Sequence, residues 1–175
     1  MFVEEILRTM DTALNRIHIC LDSLSEDQVW CRLKPNMNSI GNLCVHLAGN
    51  EYQHFVSGIG ERPLVRQRTL EFTSDRGYSK NELKELLNQT RNESKSILNN
   101  LIEQDLDRQV KVMYSLEDWN RMKERSPEET DPWYSRSIQV ILFQVCEHYG
   151  YHTGQIVLLT KLIKDIEGSI TGYKH

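Results

Sequence analysis

Near the end of the chain, in CEHYGYHTGQI, the histidines His148 and His152 stand four residues apart. On a helix, residues at that spacing are neighbours with Cβ atoms about 5–6 Å apart. Both imidazoles can then reach one metal ion, as the two histidines of HExxH helices do. The insert here is Tyr149, Gly150 and Tyr151. No glutamate lies between the pair, so the built-in general base of those helices is missing. Two imidazoles are too few for tight binding, and a third ligand must come from another helix. His46, in LCVHLAGNE three residues after Leu43, is the best candidate. His54 lies two helical turns further on, about 12 Å along the axis, too far to share an ion easily with His46. His18 has no histidine partner, and His175 lies in the tail. The competing reading of any one of these is a hydrogen-bonded core histidine. The pair shifts the balance, because two adjacent buried imidazoles both need polar partners.

Three neutral imidazoles leave the +2 charge of an ion uncompensated and a coordination position open, which is the catalytic rather than the structural pattern. A thiol or water bound there is acidified towards neutral pKa and becomes a nucleophile. No general base is identifiable; Tyr151, Glu51 and residues of the long loops are the candidates. Asn50, one turn after His46, either supports a ligand or makes a polar helix contact. Glu147 is about 100° round the helix from His148 and reads as solvated. Tyr149 and Tyr151 line a pocket, a core or an interface. Cys44 and Cys146 each precede a histidine by two residues, on roughly the opposite helix face, and read as core. Gly150 and Gly154 each weaken a helix by about 1 kcal/mol relative to alanine; together they predict a second backbone lying close to the last helix.

The elements that must hold these residues follow from periodicity. Val3, Ile6, Leu7, Met10, Leu14, Ile17 and Leu21 form an amphipathic stripe, which predicts a helix over about 3–24. After Pro35 and Asn36, Asn38 or Ser39 caps a second helix carrying Ile40, Leu43, Leu47, Asn50 and His54, and Gly58 and Gly60 end it. About twenty residues of loop follow, with room for a strand-like or single-turn piece. Connections of that length in compact domains are usually functional or mobile. Ser79 and Glu82 match a capping box and open a third helix over about 80–104. The next thirty residues are irregular: Val110 and Val112 alternate with polar residues, which allows a short strand. Pro127 and Pro132 mark a surface excursion, and Tyr114, Trp119, Trp133 and Tyr134 suggest that part of it packs back. The last helix spans about 137–164, with a frayed tail. Four long amphipathic segments imply an all-α bundle.

The 175 residues amount to about one domain, 1–175, large enough for a core without disulfides, and the net charge is −4. Charges are scattered, with no basic run of the density that nucleic acid or anionic lipid calls for. MFVEEILRTM has no basic region of a signal peptide, and no window of about 18 apolar residues would span a membrane. Cys20, Cys31, Cys44 and Cys146 show no CxxC spacing and read as reduced, mostly buried thiols. A cytoplasmic protein is expected, with neither nucleic-acid nor membrane partners.

KPNMNSIGNLCVHLAGNE, followed about a hundred residues later by EHYGYHTGQI, resembles the DinB-like (DinB/YfiT) family of metalloenzymes, in particular the uncharacterised branch carrying SIGNLxxHLAGNE and HxxxHTGQI. The likeness covers nearly the whole chain; the segment from Met113 to Arg136 departs from it as an insertion or divergence. The resemblance implies a four-helix bundle, often dimeric; the residue pattern adds a long loop between helices 2 and 3 and an irregular insertion before the last helix. It implies a divalent metal held by three histidines, whose motif positions fall on His46, His148 and His152. Zinc or nickel come first, with iron or manganese as alternatives. Some members act on bacillithiol or another low-molecular-weight thiol. The expected function is a metal-dependent enzyme acting on a small molecule, a thiol transferase or a hydrolase. The rival expectation is a non-catalytic helical binding protein with a structural or adventitious ion.

Overall fold

The computed structural model describes residues 2–122 and 131–172; Pro127 and His175 lie outside them. Four long helical elements carry the fold. Helix α1 spans Phe2–Ser23, and a short α2 spans Glu26–Val29. Helix α3 spans Ile40–Glu51 and runs on without a break into a π-helical segment, Tyr52–Ile59. Helix α4 spans Arg68–Thr73, α5 Lys80–Leu98, α6 Leu116–Met122 and α7 Ile138–Lys164. α1 packs against α7 and α5, and α3 packs against α5 and α7, so the four long helices close a ring around one core. Among the described residues the fold is all-α, as the periodicity predicts, apart from one two-stranded antiparallel sheet.

The caps explain where the helices start. Ser39, not Asn38, caps α3: the Asn42 amide donates to Ser39 Oγ at 3.1 Å, and the Ser39 amide donates to Asn42 Oδ1 at 3.0 Å. Ser79 and Glu82 make the same reciprocal pair at α5. Each such cap stabilises its helix by about 1 kcal/mol. The core draws one face from each helix: Met10, Ile17, Leu43, Leu47, Leu83, Leu87, Ile141 and Ile156 are all buried. Burying each of these side chains is worth about 1.5–3 kcal/mol.

Two expectations are corrected and one is borne out. The third long helix ends at Leu98 rather than near Gln104, because the chain turns at Asn99 and Asn100; a single 3₁₀ turn follows at Glu103–Asp105. The strand around Val110 and Val112 has a partner: β1 (Gln109–Met113) pairs antiparallel with β2 (Trp133–Ser137), Val112 opposite Tyr134. β1 turns Val110 and Val112 onto the π-helical segment, beside Gly58. Gly150 and Gly154 face outward, and a Cβ at either would meet nothing within 4 Å. Cys31 is also exposed, while Cys20 and Cys44 are buried. No described helix is long and apolar enough to cross a membrane.

Candidate metal centre

His46 projects from α3 towards α7, where His148 and His152 occupy successive turns. One ring nitrogen from each lies within 4.8 Å of the others. The ring centroids are 4.9 Å apart for His46 and His148, 5.0 Å for His46 and His152, and 4.4 Å for the α7 pair. The Nε2 atoms of His46 and His148 approach to 2.8 Å. Two bare lone pairs cannot sit so close, so a proton or a cation belongs between them. His46 is buried and the α7 pair is half-buried, which leaves the cluster open along the edge of α7.

Two further side chains aim the imidazoles. Glu71 Oε2 lies 2.8 Å from His46 Nδ1, and Gln155 Oε1 lies 2.7 Å from His152 Nδ1. Both oxygens accept, so both Nδ1 atoms carry the proton and both Nε2 atoms keep a free lone pair. This is the usual way a protein sets the tautomer of a metal-binding histidine. Arg66 Nη2 also lies 3.2 Å from His46 Nδ1, but two donors cannot pair, and Glu71 is the partner. Arg66 instead grips Glu71 with one edge, donating from Nε to Oε1 at 2.6 Å and from Nη2 to Oε2 at 2.8 Å. Its Nη1 donates to Gln53 Oε1, and Gln53 Nε2 donates to the Met113 carbonyl, tying the two-stranded sheet into the same network.

Glu71 and Arg66 come from the long connection after α3, where nothing in the residue pattern marks them. What docks that connection is Asn42: its Nδ2 donates to the carbonyls of Glu71 at 2.9 Å and Ser74 at 2.8 Å, while its Oδ1 completes the cap of α3. One asparagine therefore starts the helix that carries His46 and anchors the carboxylate that orients it. Gly49 makes the room. A Cβ there would overlap Glu71 Oε1 and lie 3.0 Å from Arg66 Nε. Gly49→Ala is therefore expected to lower the melting temperature despite alanine's helical advantage of about 1 kcal/mol. It should also weaken divalent-ion binding; thermal unfolding and an ion titration check both.

Electrostatics favours neutral imidazoles. Burial pushes His148 down to about 3, helped by the neighbouring His46 and His152. Burial also lowers His46, against the opposing pull of Glu71, and lowers His152. Burial would raise Glu71, but the Arg66 and His46 hydrogen bonds outweigh it and hold the carboxyl below its ordinary range. The ring of Phe72 lies against His46, 4.7 Å between centroids, and that of Tyr151 against His152 at 5.0 Å.

The other sequence candidates lie elsewhere. His54 is buried on the π-helical segment, its Nδ1 2.7 Å from the Asn50 carbonyl and its Nε2 2.9 Å from Tyr134 Oη. Burial lowers it to about 4. Asn50 thus contributes a backbone acceptor to His54. Glu51 is buried in an ion pair with Arg91. Tyr149 is core, Tyr151 and Glu147 are exposed, and Cys44 is buried. The insertion has a partial role: Tyr134 meets His54, and Trp119 is buried against Tyr114.

The family model for mycothiol-S-transferase matches residues 5–164. No curated protein matches the chain. A crystal structure of a conserved protein from Enterococcus faecalis aligns with a TM-score of 0.64 over 93% of this chain and 97% of that one, at 17% identity. At that identity the likeness shows the fold alone. The match over residues 5–164, nearly the whole chain, carries the assignment: the chain belongs to the mycothiol-S-transferase family.

Proposed function

We propose that the chain is a metal-dependent S-transferase that joins a low-molecular-weight thiol, of the mycothiol or bacillithiol type, to a small electrophile. The observation that carries this reading is the tautomer-set cluster: three ring nitrogens within 4.8 Å, with two of the rings held by Glu71 and Gln155. His46, His148 and His152 would hold a divalent ion through neutral imidazole. Zinc and nickel suit that donor set. When bound, such an ion lowers the pKa of a thiol so that thiolate is available near neutral pH.

The chain's own groups do the rest. Glu71 keeps the His46 Nδ1 proton in place and is itself neutralised by Arg66. Gln155 does the same for His152. Glu71 is committed to Arg66 and His46, so it does not take the thiol proton, which leaves to solvent. The half-buried rims of His148 and His152, with Tyr151, face the side from which a soluble thiol arrives. The test is conjugation of mycothiol, bacillithiol and cysteine to monochlorobimane by zinc- or nickel-loaded protein, with an ester panel beside it. Thiol-dependent turnover that vanishes in His148→Ala is expected. Ester hydrolysis without thiol dependence, or no turnover with any thiol, sinks the reading.

The homodimer that the resemblance implies finds support on the outer face of α7. Phe143, Tyr151 and Leu158 are 65%, 59% and 57% exposed there, and Gly150 and Gly154 beside them line a groove that α7 shares with α1. Leu158→Glu is expected to give a monomer by sedimentation velocity with an unchanged helical spectrum. An unchanged sedimentation coefficient would move the contact off this face.

A further inference from the structure

The segment 61–79 roofs a cavity of about 320 Å³ on the face of α3 turned away from the core. Val45 and Ala48 of α3 form its floor, Trp30 and Leu86 its walls, and Val65 and Leu70 its rim. The two rim residues are 69% and 54% exposed, more than aliphatic side chains of their size need be in so short a segment. The volume lies at the lower end of the range for small-molecule sites, roughly 300–1,000 Å³.

The chemistry of the lining selects the ligand. Trp30 Nε1 donates to the Tyr78 carbonyl at 2.9 Å, so its polar edge is used and its ring is what the cavity meets. The inner end is the Glu71–Arg66 pair, in which each charge cancels the other, and the further lining cation, Arg76, is paired with Asp27. An anion entering there would face the carboxylate, and a cation would face the guanidinium. A flat, uncharged ring meets apolar wall on most sides and a neutral polar end. Glu71 is also the partition between this cavity and the histidine cluster. Its Oε1 lies beside Gly49 and Arg66 at the cavity, and its Oε2 holds His46 Nδ1.

We propose that this cavity binds a small uncharged planar aromatic molecule, and that Glu71 transmits its presence to His46. The binding does not depend on the transferase reading, and both halves are testable on metal-free protein. Coupling of this kind is reciprocal between the two sites.

The experiment is a titration of metal-free, ¹⁵N-labelled protein with indole, followed at the Trp30 Nε1–H and at the imidazole nitrogens of His46. Saturable shifts of Trp30 with a Kd below about 1 mM are expected, as befits so small a ligand. Benzoate should bind at least about tenfold more weakly, because burying its charge against an already paired end leaves that charge uncompensated. Val45→Phe, which fills the floor, should abolish saturation. Leu70→Asp, at the exposed rim where folding is not at risk, should weaken binding by about tenfold. The His46 nitrogens should move with the Trp30 saturation curve while those of His18 stay still. Shifts that fail to saturate, or an indole affinity unaffected by both variants, overturn the site. A His46 signal that does not move at saturating indole overturns the coupling.

Discussion

Protein purified without a histidine tag is expected to carry a divalent ion, and His148→Ala to carry none. His148 supplies one of the three nitrogens that lie within 4.8 Å, and an ion left on two imidazoles exchanges readily. Losing a direct donor should exceed the roughly 10–100-fold that supporting groups are worth to metal affinity. Glu71→Gln should fall within that range, because His46 keeps an acceptor while Arg66 loses its counter-charge. Elemental analysis and zinc-indicator competition read both. Equal metal content in wild type and His148→Ala would remove the centre altogether.

The pH dependence of that affinity sharpens the test. Binding requires neutral imidazole. Three ordinary imidazoles would lose about 50-fold in affinity between pH 7.5 and 6 through proton competition. Here burial lowers all three, His148 to about 3. A group whose pKa is depressed competes less for protons at pH 6 than an ordinary imidazole does, and His148 hardly competes at all. The affinity should therefore fall by clearly less than 50-fold between pH 7.5 and 6. A 50-fold fall across that interval would show that the cluster is solvated rather than buried.

How much of this was legible in the sequence depends on how each residue's role is encoded. The α7 pair was readable because four-residue spacing is a property of the helix itself, and His46 because it follows the stripe residue Leu43. The Ser79–Glu82 cap was readable for the same local reason. Glu71 and Arg66 were not: they reach His46 across a loop without periodicity, and only tertiary docking brings them there. Their trace was indirect, an asparagine and a glycine inside a helix, Asn42 and Gly49, each tolerated because it serves the docked loop. The π-helical turns after Glu51 shift the hydrogen-bond register without asking for a particular residue type. The strand WYSRS shows little alternation, its burial being nearly uniform. Gly150 and Gly154 misled because glycine permits close approach without requiring it.

Glu51→Ala is expected to unfold the chain more readily by about 3–5 kcal/mol, which is what removing one partner of a buried ion pair costs. Glu51 and Arg91 side chains are 1% and 2% exposed. Arg91 Nε and Nη2 donate to the two oxygens of Glu51 at 2.7 and 2.9 Å, and Nη1 donates to Asp11 Oδ1 at 3.0 Å. The guanidinium also lies 4.9 Å from the centre of the Tyr149 ring. One arginine on α5 thus reaches α3, α1 and α7. Burial opposes its charge, and Glu51 holds it charged all the same. With Glu51 gone, only Asp11 remains, and Asp11 is 40% exposed and partly screened. The double variant Glu51→Ala/Arg91→Met removes the stranded cation and should recover most of the loss, as replacing a whole buried pair with apolar groups often does. Urea and thermal unfolding compare the three proteins; at this chain length 3–5 kcal/mol corresponds to about 6–20 °C. The same pair of variants decides whether Glu51 has any part in chemistry. As a core residue, it leaves zinc affinity and thiol turnover intact once the double variant restores the fold. As a base, it leaves a stable, metal-loaded protein that no longer turns over.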